Sequence, residues 1–359
     1  MLLVTRHGLH PFSPAYFRPG ESGSPHLFSF SPANAAIGQA LIQRAPQILP
    51  PFLEKPLPEA APELRTVTLK NLQSCYRNPS RFFVTKRLEY RLPEDKDMME
   101  DQEPFALDAL AAFKLKQTAV DLLLEKAESR KQKVVSLWKA QGEVPPAAAG
   151  TILGNDIITG VMPLVRKVQG HLGEAKKVSL NVNLPIGNFQ LEAQLLAYEQ
   201  VGLVHYRPSK VDPKKKPNPH LDIWLEHLAL QLADWPGPKI SYLLGEDASW
   251  TFPEIQDAAR AKDLLAELLD LYWQGLRQPL QFFPRTSLAY AADGTEAALE
   301  KALSAWEGIP DSDYQQGEQE DPYFRLCFAS HPNPLDEQFQ ALAKQVFAPL
   351  LDNHKKEKE

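Results

Sequence analysis

The chain has 359 residues, 43% of them hydrophobic and 9% aromatic, which is enough to bury a substantial core and argues against extensive disorder. Its formal charge of −6 lacks the global basic excess of a dedicated nucleic-acid coat protein, so any nucleic-acid contact has to come from local patches. Cys75 and Cys327 stand in no paired spacing, offer no disulfide framework and fit a reducing cytoplasm, and no run of about 18 apolar residues marks a signal peptide or a membrane span.

In chain order, residues 1–63 hold eleven of the 32 prolines. Proline fixes φ and removes a backbone donor, so this stretch is expected to run as an extended connector with one short helix near ANAAIGQALIQRA, like the tail of something longer. From Leu64 the apolar residues recur at three and four positions, which predicts helices near 68–84, 105–141 and 151–172. KKVSLNVNLPIG, FQLEAQLLAYEQ and VGLVHYRPSK then read as a strand meander between Gly and Pro breaks. The lysine- and proline-rich loop SKVDPKKKPNPH follows, then a helix LDIWLEHLALQLA and a hairpin-like KISYLLGEDASWTF. Helices near 254–276, 293–306 and 334–352 close a domain expected over 64–352, with 353–359 as a frayed tail.

Several chemistries fail on residue type. The sequence has no G-x-x-x-x-G-K-[ST] phosphate loop, no G-x-S-x-G elbow, no H-E-x-x-H pair and no C-x-x-C, so ATP hydrolysis, serine hydrolysis and structural zinc are unsupported. No cofactor is called for. The charge pattern is more informative. Residues 65–91 carry seven basic residues against Glu89 alone, a net of +6, and residues 94–108 carry seven acids against Lys96, a net of −6. The pair reads either as two solvated surfaces that offset each other or as a phosphate-contacting side beside an acidic one. Phe82, Phe83 and Leu72 inside the basic stretch read as core.

LKNLQSCYRNPSRFFVTKRLEYRLPED resembles the entry to nuclease domains of the RecB and AddB type. HPFSPAYF, LFSFSPANA, LQSCYRNPSRFF, IWLEHL, YWQGLRQPLQFFPRTS and AWEG resemble, in order along the chain, the C-terminal domain of the RecC family, the gamma chain of exodeoxyribonuclease V. The resemblance implies an α/β fold with a small mixed sheet flanked by helices, a PD-(D/E)XK nuclease-like core. Such a nuclease needs acids on adjacent strands to hold Mg²⁺ and a Lys beside them. In this sequence His205 stands for the metal-binding Asp, Arg207 for the Lys, and Leu196 for the preceding strand's Asp, and the long helices before His171 lack the family's His. Arg keeps the charge but presents a planar fork where a compact ammonium is needed. Two cysteines cannot supply four-thiolate cluster ligation either, so Cys75 reads as a small buried hydrophobe.

The resemblance therefore implies a vestigial site at Leu196, His205 and Arg207, with no catalytic residue and no metal. It implies a non-catalytic domain that contacts double- and single-stranded DNA at a fork in a RecBCD-type helicase–nuclease, beside RecB-like and RecD-like subunits, in the cytoplasm and away from membranes. The residues expected to touch phosphate are Arg77, Arg81, Lys86 and Arg87 in the first patch and Lys214, Lys215 and Lys216 in the loop. Two alternatives remain open at this point: an active Mg²⁺-dependent nuclease with carboxylates migrated to Glu192 or Asp212, and a pure protein–protein scaffold.

Overall fold

The computed structural model describes residues 7, 9–17, 27–42, 50–93, 108–125, 131–145, 147–309 and 316–357. The chain divides into two compact units, Met1–Pro50 and Pro51–Glu359. In the first, a short turn at Pro14–Tyr16 precedes helix α1, Pro32–Ile42. The Ser31 hydroxyl accepts a hydrogen bond from the Asn34 amide at 3.3 Å, and Pro32 sits in the first turn, where no donor is required. A Cβ at the buried Gly38 would lie 2.9 Å from the Phe12 carbonyl oxygen, so only glycine lets the helix approach that loop.

The described residues of the second unit form one mixed sheet of β1 (Thr66–Thr68), β2 (Lys177–Ile186), β3 (Phe189–Tyr198), β4 (Gly202–Tyr206), β5 (Ser241–Leu244), β6 (Ser249–Phe252) and β7 (Lys355–Lys356). Strand β2 runs antiparallel along the whole of β3. On the other edge of β3, β1 pairs in parallel with residues 190–192 and β4 pairs antiparallel with Ala197 and Tyr198, leaving a notch along residues 193–196. Beyond β4 the sheet continues through parallel β5 and antiparallel β6. The alternation of β2 and β3 explains their two faces: Val182, Leu191, Leu195 and Ala197 are buried, whereas Asn181, Asn183, Glu192 and Gln194 are exposed.

Helices α2 (Leu69–Arg77), α7 (Asn218–Leu232), α8 (Ala258–Gly275) and α12 (Glu337–Asn353) share the larger core with the sheet. Helix α7 is its axis, with 12 of its 15 residues buried, among them Trp224, Leu225 and Leu228, each contributing about 1.5–3 kcal/mol by leaving water. A second core joins α4 (Ala109–Glu125), α5 (Lys131–Gln141) and α6 (Ala147–Leu172) to Tyr198, Val204 and Leu244. Among the described residues α6 is the one helix long and apolar enough to cross a membrane by length and composition, yet Ile157, Val161, Leu164 and Val168 are spent on this core. A third core packs α9 (Pro284–Ala291), α10 (Glu296–Glu307) and α11 (Pro322–Phe328) around Phe283, with Phe83, Trp306, Phe324 and Phe339.

The structure redraws several expected boundaries. The helix expected over 68–84 is broken by Pro79: α2 ends at Arg77, and Asn78 caps the short α3 (Pro79–Phe82) by accepting from the Arg81 amide at 2.8 Å. The expected 105–141 helix is α4 and α5, and most of the acidic run 94–108 lies outside the described residues. The unit boundary falls at Pro50–Pro51, earlier than the expected 63. Residues from 51 onward are anchored to the body, with the Leu57 amide donating to the Arg277 carbonyl at 2.8 Å. The expected frayed tail over 353–359 is corrected at its described residues: Lys355 and Lys356 pair with Thr251 and Trp250, and the Glu357 carboxylate accepts from the Thr251 hydroxyl. Cys75, Leu72, Phe82 and Phe83 are buried as core, and burial pushes the Cys75 thiol far up.

Strand β4 starts at Gly202 with φ +100°, where a Cβ would sit 2.1 Å from the Ile240 carbonyl oxygen. Gly202→Ala is therefore expected to destabilise the chain by about 3 kcal/mol in chemical denaturation, from backbone strain and overpacking together. A loss under about 1 kcal/mol would mean that the β4–β5 junction relaxes around the methyl group.

Candidate functional site

Two of the three expected vestigial positions come together at the notch in the sheet. Leu196 on β3, 49% exposed, and His205 on β4 line a depression of about 290 Å³ together with Gln194, Tyr206 and Glu226. Arg207, just beyond β4, lies outside that lining and faces a different depression.

What fills the notch from below is α7. The His205 Nε2 lies 2.7 Å from one Glu226 carboxylate oxygen, and the other accepts from Gln73 Nε2 at 3.0 Å. One helical turn earlier, Asp222 accepts both prongs of Arg77, from Nε at 2.8 Å and Nη2 at 2.6 Å. Both acids are largely buried, with side chains 12% and 16% exposed. Burial opposes charge on the His205 ring, but Glu226 beside it outweighs this and holds the ring above its ordinary value. Burial likewise presses the Glu226 carboxyl upward, and His205, with its charge and hydrogen bond, brings it below the usual carboxylate range. Burial keeps Asp222 above its ordinary value despite the Arg77 fork, and burial lowers the Arg207 guanidinium.

Each acid of this cluster is thus matched to a cation or an amide, and the carboxylates arrive from a helix and not from the sheet. Among the described residues no group of three or more His, Cys, Asp or Glu side chains is placed to hold a metal ion. Glu192 and Asp212 line two separate depressions, of about 720 Å³ and 560 Å³.

The expected basic residues divide by what holds them. Arg77 is engaged by Asp222, the Arg81 guanidinium lies 5.4 Å over the Tyr323 ring, and Arg87 donates to the Pro58 carbonyl at 2.9 Å. Lys86 is exposed. In the loop, the Asp212 carboxylate accepts from the Lys214 amide at 3.1 Å and its carbonyl accepts from the Lys215 and Lys216 amides at 3.1 and 2.9 Å, a side-chain turn that sets the three lysines outward. Lys215 and Lys216 line the 560 Å³ depression with Lys210 and Arg207, together with Leu110, Phe113 and Lys116 of α4. Lys214 is turned away, close enough to Asp293 to assist Lys301 in lowering that carboxyl.

Sequence reasoning missed Asp222 and Glu226, although the signal was present: two acids four apart in a helix that is otherwise mostly apolar have to find partners. It also missed Lys116, Lys210 and Phe113, which only the packing of α4 against the loop brings into range.

The sequence model of the RecC C-terminal domain matches residues 64–295, most of the chain, and the chain belongs to that family. Among its relatives, the RecBCD enzyme subunit RecC of Escherichia coli (strain K12) is 26% identical over 288 residues, covering 80% of this chain and 24% of that protein. The RecBCD enzyme subunit RecC of Mycobacterium tuberculosis (strain ATCC 25618 / H37Rv) is 29% identical over 296 residues, covering 81% and 26%. The counterpart from Buchnera aphidicola subsp. Acyrthosiphon pisum (strain APS) is 22% identical over 302 residues, covering 80% and 27%. The chain thus spans about a quarter of the length of the curated relatives it matches.

The His205–Glu226 couple ties stability to pH. A raised histidine contributes fully below its ordinary value of 6.5 and loses its contribution as pH climbs through the folded value, whereas the lowered Glu226 contributes above its ordinary 4.5 and loses it on acidification. The stability margin of the natural chain over His205→Gln is therefore expected to be greatest between pH 4.5 and 6.5 and to shrink towards alkaline pH. Denaturation midpoints taken across this range test it, and a margin that stays constant with pH would sink it.

Proposed function

We propose that the chain acts as a non-catalytic, DNA-contacting and scaffolding domain of a RecBCD-type helicase–nuclease that processes double-strand breaks for homologous recombination in the bacterial cytoplasm. Its partners in this reading are RecB-like and RecD-like subunits and DNA at a fork. The observation that carries it is the pairing of an apolar Leu196 with a His205 already bonded to Glu226, where a nuclease of this class needs free acids on adjacent strands. We read the sheet and its flanking helices as a nuclease-like core whose site has been closed by internal ion pairs.

DNA contact in this reading falls first on the loop and its neighbours, Lys214, Lys215, Lys216, Lys210 and Arg207, with Lys86 and Arg81 as the outlying contribution of the first patch. Arg77 acts mainly to hold the fold, because its Nε and Nη2 already meet Asp222, and Arg87 spends an Nη2 donor on the Pro58 carbonyl. A scaffolding role draws on the first unit, where Leu9, Phe28, Phe30, Ile37 and Leu41 are between 45% and 90% exposed. We read that unit as a connecting element to the rest of a longer subunit.

Purified chain with Mg²⁺ or Mn²⁺ is expected to leave linear duplex and single-stranded DNA intact. Cleavage abolished by Glu192→Gln or Asp212→Asn would favour the migrated-carboxylate nuclease instead. Binding is expected to be independent of sequence and salt-sensitive, with log K falling against log salt at a slope of roughly −3 to −4 for about four phosphates. Removing Lys215 and Lys216 together should flatten the slope by about 2, while Arg77→Ala should lower stability and leave the slope unchanged. No binding at low salt would favour the scaffold reading.

A further inference from the structure

We infer that the depression between α4 and the lysine loop takes an unpaired stretch of DNA in preference to a duplex. This rests on the DNA-contacting reading above and specifies the state of the strand. The two walls differ in chemistry. One is cationic, with Arg207, Lys210, Lys215 and Lys216. The other is α4, where Leu110 is 62% exposed and Phe113, three residues on and so on the same helix face, presents its ring beneath the Arg207 guanidinium at 5.4 Å.

The acids of the lining leave the positive balance standing. Glu246 is spent on Lys116 at 3.2 Å, and Asp212 shapes the loop by accepting its amides. What remains is a row of cations facing an apolar and aromatic surface. A single strand satisfies both walls at once, since its phosphates meet the lysines while its unstacked bases lie against Leu110 and the Phe113–Arg207 pair. A duplex keeps its bases in the stack and offers phosphate alone. Size points the same way, because about 560 Å³ is the scale of a small-ligand site, room for a nucleotide unit and not for a double helix, which would reach only the rim.

Fluorescence anisotropy on the full chain tests this with two labelled probes of equal phosphate number, an oligothymidine of about 15 nucleotides, within the usual span of single-strand sites, and a blunt duplex. The single strand is expected to bind more tightly. Phe113→Ala and Leu110→Ser should each weaken it, by about tenfold for the ring, with duplex binding and the salt slope unchanged, while Phe113→Trp retains affinity. Lys215→Ala with Lys216→Ala should weaken both probes. If Phe113→Ala fails to fold, Leu110→Ser carries the comparison, because that side chain is already mostly in solvent. Equal affinity for both probes, or equal losses on both in the α4 variants, overturns the inference and leaves DNA contact standing. Binding of neither probe overturns the DNA-contacting reading itself and this inference with it.

Discussion

The second unit is organised by the need to satisfy two carboxylates on a helix that water hardly reaches. Asp222 and Glu226 lie on α7, whose remaining surface is claimed by the sheet, α2 and α8. An unpaired buried carboxylate costs several kcal/mol, so the partners have to be brought in from other elements. Arg77 and Gln73 come from α2 and His205 from β4. These bonds hold α2 to α7 across about 150 residues of sequence, and they fix β4 against the same helix. Glu226 and Gln194 line both the depression at the notch and the one that holds Glu192.

The same constraint divides the basic residues into two kinds. An arginine whose fork is closed on a buried acid is a structural cation, and a lysine raised by a turn on the rim is an available one. Sequence composition groups them alike, because both contribute to a local positive balance. Packing separates them. In the basic stretch Arg77 and Arg87 spend donors on Asp222 and Pro58, whereas the lysines of the loop that follows β4 stand exposed around a depression.

How much of this was legible depends on the range of the forces involved. Strands β2 and β3 and helices α6, α8 and α12 were visible because their burial follows a period of two or of three to four residues in the sequence itself, and β4 and α7 because each is a nearly continuous buried run between Gly and Pro breaks. Strand β1 is three residues long, and β7 is a pair of lysines whose pairing with β6 is supplied by contacts more than a hundred residues away in sequence. Helices α9 and α11 open on Pro284 and Pro322 and are short, and they are held by the aromatic cluster around Phe283 more than by their own periodicity. At the site, Leu196, His205 and Arg207 stood out by position in a family pattern. That Arg207 parts company with the other two, and that Glu226 is the group facing His205, depend on how α4 and α7 pack on the sheet.

The closed cluster at the notch also limits the routes by which the sequence can drift. Asp222 with Arg77 and Glu226 with His205 are two couples side by side on one helix, and substitutions within such a set are not independent. Replacing His205 by an acid first would set a second negative group against Glu226 with no cation between them, whereas losing Glu226 first frees His205 to change at small cost. The order of events is therefore constrained: the helix acid has to yield before, or together with, the strand histidine. Relatives that differ at one of these two positions should as a rule differ at the other.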